Sequence, residues 1–170
     1  TMRSSGYSAL FTVVCYASSV AADGIRTAGD ILHIALPVSA GIYSLSKSDS
    51  QGAKQMASSA AVSTAILYTL KYSINEIRPD GGPLSFPSGH THISFAASTY
   101  LWKRYGPEYG IPATLLATFV GYSRVHAKRH YAHDCVAGAV LGIATSYIMT
   151  TKYSKYVQIS PQSISFQFDF

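Results

Sequence analysis

Charge is scarce in this 170-residue chain: Asp, Glu, Lys and Arg together supply 12% of it, about half the roughly 25% of an ordinary globular domain. Hydrophobic residues supply 48%, so the balance points to a membrane protein or a compact helical protein of the cell envelope. Cysteine is nearly absent. Cys15 and Cys135 form no C-x-x-C and stand at no metal-ligand spacing to a histidine, which sets a zinc site aside. If the N-terminus is removed, Cys135 has no internal disulfide partner. No basic stripe interleaved with aromatics appears, which argues against nucleic acid as a partner. Internal repeats and low-complexity segments are also missing. The formal charge of +5 reads as a mildly basic surface, apart from three cations in the motifs below.

The length fits one domain with a single core. Residues 1–22 read as a secretory signal peptide or an N-terminal membrane helix: Arg3, an apolar run from Ala9 to Ala17, then small residues up to Ala22. Residues 23–152 form the expected helical domain. Apolar stretches predict helices over Ile31 to Leu45 (around Pro37), Ala53 to Ile74, His90 to Trp102, Ile111 to Tyr122 and Ala132 to Met149. Ser46 to Gln51 is a polar turn, Asp80-Gly81-Gly82-Pro83 is a loop, and Gly106-Pro107 breaks the helical run. In the last helix Gly138 and Gly142 stand four apart, a spacing for close helix packing. Residues 153–170 form a tail in which Ile164, Phe166, Phe168 and Phe170 alternate with polar residues, the period of a β-strand. The expected fold is therefore an all-α compact bundle with a short C-terminal β-like tail.

Lys47, Lys54, Lys103, Arg104, Lys152 and Lys155 fall in alternate connections or at the end, a positive-inside pattern that puts the motifs below on the outer side. Against full spanning, His90 to Lys103 is short for about 30 Å of hydrocarbon, and the helices are rich in Ser, Thr and Tyr. The expectation is a membrane-associated periplasmic domain, with an integral inner-membrane protein as the alternative.

Three runs carry chemistry. Lys71 and Arg78-Pro79 place two cations near the end of one helix, one a point charge and the other a bidentate fork. In isolation such residues merely complement a helix dipole. Pro87-Ser88-Gly89-His90 sits where a loop becomes a helix, so free N–H groups face an anion, although Ser88 as a plain N-cap fits as well. The third run, Ser123-Arg124 followed by His130 and Asp134, pairs an imidazole with a carboxylate four residues on, on one helical face if the helix includes both.

In order and internal spacing the three runs resemble the signature of the type 2 phosphatidic acid phosphatase and haloperoxidase superfamily: Lys-x6-Arg-Pro, Pro-Ser-Gly-His, and Ser-Arg-x5-His-x3-Asp. Every specified position is present between Lys71 and Asp134. The resemblance implies that Lys71, Arg78 and Arg124 hold phosphate oxygens with Ser88 and the Gly89 amide. It implies that His130 attacks phosphorus, oriented by Asp134, and that His90 protonates the leaving oxygen. No metal or cofactor is expected. His92, His126 and His133 match no catalytic position and are expected at the surface or behind the site, and His33 is expected to be structural.

The function so implied is a metal-independent phosphatase of the bacterial cell envelope, its site facing the periplasm. It would act on a phosphate monoester or pyrophosphate, with a lipid such as a polyprenyl pyrophosphate, phosphatidylglycerophosphate or phosphatidate preferred. The alternatives are a broad-specificity acid phosphatase on soluble phosphoesters, a vanadate-dependent haloperoxidase, and a non-catalytic envelope protein using its terminal strand for β-augmentation.

Overall fold

The structure, a computed structural model, describes residues 4–154, with side chains from Asp23 onward. The β-like tail expected from residue 164 lies outside them. Five helices follow in order: α1 (Ser4–Ser46), α2 (Ser50–Ile74), α3 (Gly89–Tyr105), α4 (Pro107–His126) and α5 (Ala132–Met149). The all-α expectation holds among the described residues, and the four breaks between these helices fall where the sequence put them, whereas no break separates the expected leader from the first helix. The first helix is longer than the apolar stretch predicted, because α1 continues N-terminally through residues 4–30 and carries Pro37 inside it.

Local chemistry explains the ends. Asp49 caps α2 by accepting from the Gly52 amide at 2.9 Å. Asn75 closes α2 in the left-handed region, its N–H returned to the Lys71 carbonyl. Pro107 stands in the first turn of α4, where its missing N–H costs nothing. At that same end of the bundle Arg104 is buried against Asp49, with Nε–Oδ2 at 2.7 Å and Nη2–Oδ1 at 2.5 Å. Tyr105 donates to the same carboxylate at 2.8 Å.

α3 is the central helix, packed on all four others. Its inward residues are small: Ser94, Ala96, Ala97 and Ser98 are buried beside Tyr100 and Leu101. The core they join includes Leu36 and Ala40 of α1 and Ala113 and Ala117 of α4. Gly138 and Gly142 let α5 lie directly on the first turns of α3. A Cβ at Gly138 would collide with the Ser88 carbonyl oxygen, and one at Gly142 with that of His92.

The large aliphatic residues point the other way. Ile31, Ile34, Val38, Ile42 and Leu45 of α1 are exposed, as are Val136, Val140, Ile143 and Ile148 of α5, the last to 78%. Among the described residues two helical segments, Asp23–Ser46 and Ala132–Met149, are long and apolar enough to cross a membrane, and only 22% and 28% of their apolar stretches are buried. The core helix of a water-soluble protein would bury most of such a segment. The serines that seemed to argue against lipid are accounted for internally. Ser44 donates to the Ala40 carbonyl, Ser63 to Ala60, Ser94 to His90 and Ser98 to Phe95, so each hydroxyl is satisfied within its own helix. α3, at 17 residues, also reaches about 25 Å at 1.5 Å per residue, longer than the sequence suggested.

Candidate active site

Four chain segments end around one polar cavity of about 100 Å³, lined by Arg26, Asp30, Arg78, His90, Arg124, Arg129 and His130. They are the middle of α1, the loop after α2, the start of α3, and the turn joining α4 to α5.

The loop after α2 presents Arg78 through a tight turn: Arg78 N–H donates to the Gly82 carbonyl at 2.7 Å, and Gly81 N–H donates back to the Arg78 carbonyl at 2.9 Å. Gly81 has a φ of 87°, a value that suits glycine. The Nε of Arg78 is buried with no hydrogen-bond partner among the described residues. A buried guanidinium N–H without an acceptor in a cavity wall points to an anion.

Lys71 is buried beneath the loop rather than lining the cavity. Its Nζ donates to the Leu84 carbonyl at 2.7 Å and lies 3.5 Å from that of Ser85. It thus holds the loop that carries Arg78 and adds its charge from behind.

At the start of α3 Ser88 occupies the N-cap position, yet its side chain caps nothing. Its Oγ instead accepts from Thr91 Oγ1 at 3.1 Å, and the residue is fully buried. The capping alternative for this serine is therefore not the role of its hydroxyl. Gly89 faces Leu67 of α2, and His90 reaches the cavity from the first turn. Ser88 N–H donates to the Asp134 carbonyl at 3.0 Å, fixing the start of α3 against the start of α5.

In the third motif the last helix starts where the sequence predicted, which leaves His130 outside it. His130 does not share a helix with Asp134, because α5 begins at Ala132. After α4 the chain turns through Lys128, whose φ is 54°, and the amides of Arg129 and His130 fold back onto the Arg124 carbonyl at 3.0 and 3.4 Å. His130 is then held from its Nδ1 side, 3.4 Å from Asp134 Oδ2 and 3.5 Å from Ser85 Oγ. Asp134 is wholly buried. It accepts from Ser85 Oγ and from the Tyr131 amide at 2.9 Å, and it stands in the first turn of α5 where the dipole favours an anion. With Nδ1 so engaged, Nε2 is the nitrogen left for the cavity.

Burial, with Arg78 and Lys71 nearby, pushes His130 down to about 4, against the opposing pull of Asp134. Near neutrality it is an uncharged imidazole with a free lone pair. His90 is pushed down to about 4 as well, by burial first, then by His33 and Arg124, with Asp30 opposing.

Arg124 is buried on α4. Its Nη1 donates to Asp30 Oδ1 at 2.6 Å, its Nη2 to the Arg26 carbonyl at 2.9 Å and its Nε to Ser123 Oγ at 3.0 Å. A guanidinium has five N–H groups, so two remain for a ligand.

The motifs did not reveal Asp30, His33, Arg26, Ser85 or Arg129. Asp30 and His33 come from α1, and the His33 and His90 ring centroids are 3.9 Å apart, so His33 backs a cavity residue without itself lining the cavity. An acid inside an apolar stretch of a charge-poor chain was the available signal for Asp30. Ser85 carried none. Of the other histidines, His92 is buried within α3, His126 packs on Tyr122, and His133 pairs with Glu76 at 2.9 Å.

Two trios, Asp30–His33–His90 and Glu76–His133–Asp134, bring donor atoms within 4.8 Å of one another. In the first, Asp30 is already paired with Arg124, and Arg26, Arg78 and Arg129 share the cavity. That many fixed cations oppose a divalent metal and suit an anion.

The sequence profile of the PAP2 superfamily matches residues 52–158. A lipid A 1-phosphatase of Porphyromonas gingivalis is 43% identical over 77 residues, which is 43% of this chain and 17% of that protein. A probable diacylglycerol pyrophosphate phosphatase of Schizosaccharomyces pombe is 33% identical over 82 residues, 38% of this chain and 28% of that protein. The chain thus spans under a third of the length of these curated relatives. Among solved structures, Aquifex aeolicus LpxE superposes with a TM-score of 0.58 at 22% identity, over 75% of this chain and 92% of that one. The transmembrane PAP2-type phosphatidylglycerolphosphate phosphatase of Bacillus subtilis gives 0.61 at 23% identity, over 76% and 73%. The fold is shared with both, the profile covers more than half of the chain, and the protein belongs to the PAP2 superfamily.

Proposed function

We propose that this chain is a metal-independent lipid phosphate phosphatase working through a phosphohistidine. The observation that carries the reading is the arrangement of His130: its Nδ1 side faces Asp134 and its ring lines a cavity that Arg78 and Arg124 make electropositive. A phosphoryl group placed there is held by the unpaired N–H groups of Arg78 and Arg124, with Lys71 adding charge from beneath. Such fixed cations stabilise the charge that builds on the transferring group, usually the largest contribution to phosphoryl transfer.

In the first step His130 Nε2 forms a bond to phosphorus as the bond to the leaving oxygen breaks, and His90 gives its proton to that oxygen. In the second, His90 takes a proton from water, the water oxygen bonds to phosphorus, and inorganic phosphate departs with His130 restored. His90 is uncharged in the empty site. A bound phosphate dianion favours its protonation, so the substrate supplies the conditions for its own general acid.

A lipid substrate is supported by the exposed aliphatic faces of α1 and α5 and by relatives named as phosphatases of lipid A, diacylglycerol pyrophosphate and phosphatidylglycerolphosphate. These faces also favour an integral membrane protein over a peripheral one, and the positive-inside pattern favours a periplasmic site. The test is phosphate release by protein in detergent or vesicles on a polyprenyl pyrophosphate, phosphatidylglycerophosphate, phosphatidate, lipid A and a soluble ester side by side. Turnover of at least one lipid should exceed that of the soluble ester and vanish in His130→Ala. Faster turnover of the soluble ester would favour the broad acid phosphatase.

A further inference from the structure

Among the described residues Asp30 is the one carboxylate lining the cavity, and it touches two residues on which the proposed reaction depends. Its Oδ1 is 2.6 Å from Arg124 Nη1 and 3.3 Å from His90 Nε2. Neither contact follows from the three motifs: the His90 contact depends on how α1 packs on α3, and the Arg124 contact on how closely α1 lies on α4. Gly29 sets that approach. A Cβ there would collide with Ser123 Oγ and crowd the Arg124 guanidinium, so the residue beside Asp30 must be glycine for the carboxylate to reach Arg124. His33, one turn on, adds to the same structure. Its Nδ1 lies 2.6 Å from the Asp30 carbonyl and its ring packs on that of His90.

We propose that Asp30 is the positioning residue of this site, orienting the Arg124 fork toward phosphate and holding the proton on His90 until the leaving oxygen takes it. The inference rests on the phosphatase reading above, in which Arg124 binds phosphate and His90 is the general acid. With one N–H of Nη1 directed to Asp30, and Nη2 and Nε tied to the Arg26 carbonyl and Ser123, the guanidinium is fixed in one plane before substrate arrives. No proton passes to Asp30. Its negative charge favours the imidazolium form of His90, against the opposing influence of His33 on α1, Arg124 on α4 and His130 in the following turn, while Arg26, Arg78 and Arg129 also line the cavity. An aspartate beside a general acid in a nest of cations adds to the pull of the bound phosphate dianion, so that the acid holds its proton in the substrate complex.

The test compares Asp30→Asn, Asp30→Glu and native full-length protein in single-turnover phosphoryl transfer, on an alkyl phosphate and a nitrophenyl phosphate. Asp30→Asn should slow the alkyl ester at least ten times more than the nitrophenyl ester, whose leaving group needs no proton. It should also move the alkaline limb of the alkyl-ester profile to lower pH, because His90 then gives up its proton more readily. Asp30→Glu keeps the charge and should keep the native limb at reduced rate. It also carries the test alone should the asparagine variant fail to fold, in which case a Glu limb displaced by a full pH unit overturns the proposal. Equal slowing of both esters with an unmoved limb would make Asp30 a structural contact. Faster turnover with tighter vanadate inhibition would make it a carboxylate that only fills the empty anion site. Either result overturns the proposal. The underlying reading fails separately, if His130→Ala remains active.

Discussion

Gly138 of α5 lies against Ser88 of α3 so closely that no side chain fits between them: a Cβ would strike the Ser88 carbonyl oxygen. Ser88 is the residue before α3, and its amide is bonded to the Asp134 carbonyl one turn earlier on α5. A glycine with no chemistry of its own thereby sets the distance between the helix start that carries His90 and the helix start that carries Asp134.

Gly138→Ala should therefore impair catalysis as well as stability. The neighbour is backbone, which cannot swing aside, and overpacking of this kind costs about 1–3 kcal/mol. A thermal transition lowered accordingly, with kcat down about tenfold or more while KM changes little, is the expected outcome in a steady-state assay. Unchanged kcat would show that the His90-to-Asp134 spacing tolerates displacement.

The Arg104–Asp49 pair at the other end of the bundle should act on stability alone. Both side chains are 3% exposed, and removing one partner leaves the other charge buried, at a cost of about 3–5 kcal/mol. Arg104→Met is expected to lower the unfolding midpoint in denaturant while the surviving folded fraction keeps its native kcat.

Anions should inhibit and chelators should not. The cavity offers guanidinium N–H groups, and Asp30, the single carboxylate lining it among the described residues, is already paired with Arg124. Orthovanadate is expected to compete with substrate, and EDTA to leave the rate unchanged. Loss of activity in EDTA restored by one divalent metal would point instead to the Asp30–His33–His90 or Glu76–His133–Asp134 donors.

Vanadate binding should also take up protons. His90 is pushed down to about 4 in the empty site, chiefly by burial, and a bound anion raises its affinity for a proton. Between about pH 4 and the value His90 reaches with the anion bound, binding draws in up to one proton and tightens as pH falls. Calorimetry in buffers of different ionisation enthalpy measures this uptake, and His90→Ala should reduce it. Equal uptake in that variant would move the proton to another group.

Helix types, the breaks between helices and the three motifs were all legible in the sequence, because apolar periodicity, Gly-Pro breaks and fixed spacings are local. What was not legible depends on helices meeting. The sequence placed His130 and Asp134 on one helix if it extended far enough, whereas His130 sits on a turn folded back onto the Arg124 carbonyl. Lys71 had the right spacing, but it lies under the loop, bound to the Leu84 carbonyl. Asp30 and His33 stand some forty residues before the first motif, and only the packing of α1 on α3 and α4 brings them to it. Serine content argued against a membrane helix when counted as polarity. It argues much less once the hydroxyls of Ser44, Ser63, Ser94 and Ser98 are seen to bond their own helices.

The most direct measurement of the central claim is rapid quench of native protein with substrate labelled at the transferring phosphorus, followed by peptide mapping. The account predicts an acid-labile, alkali-stable phosphoryl group on His130, formed in a burst and absent in His130→Ala, whose turnover should fall at least a hundredfold. Label on another residue, or a His130→Ala variant that keeps more than about a hundredth of the native rate, would contradict it.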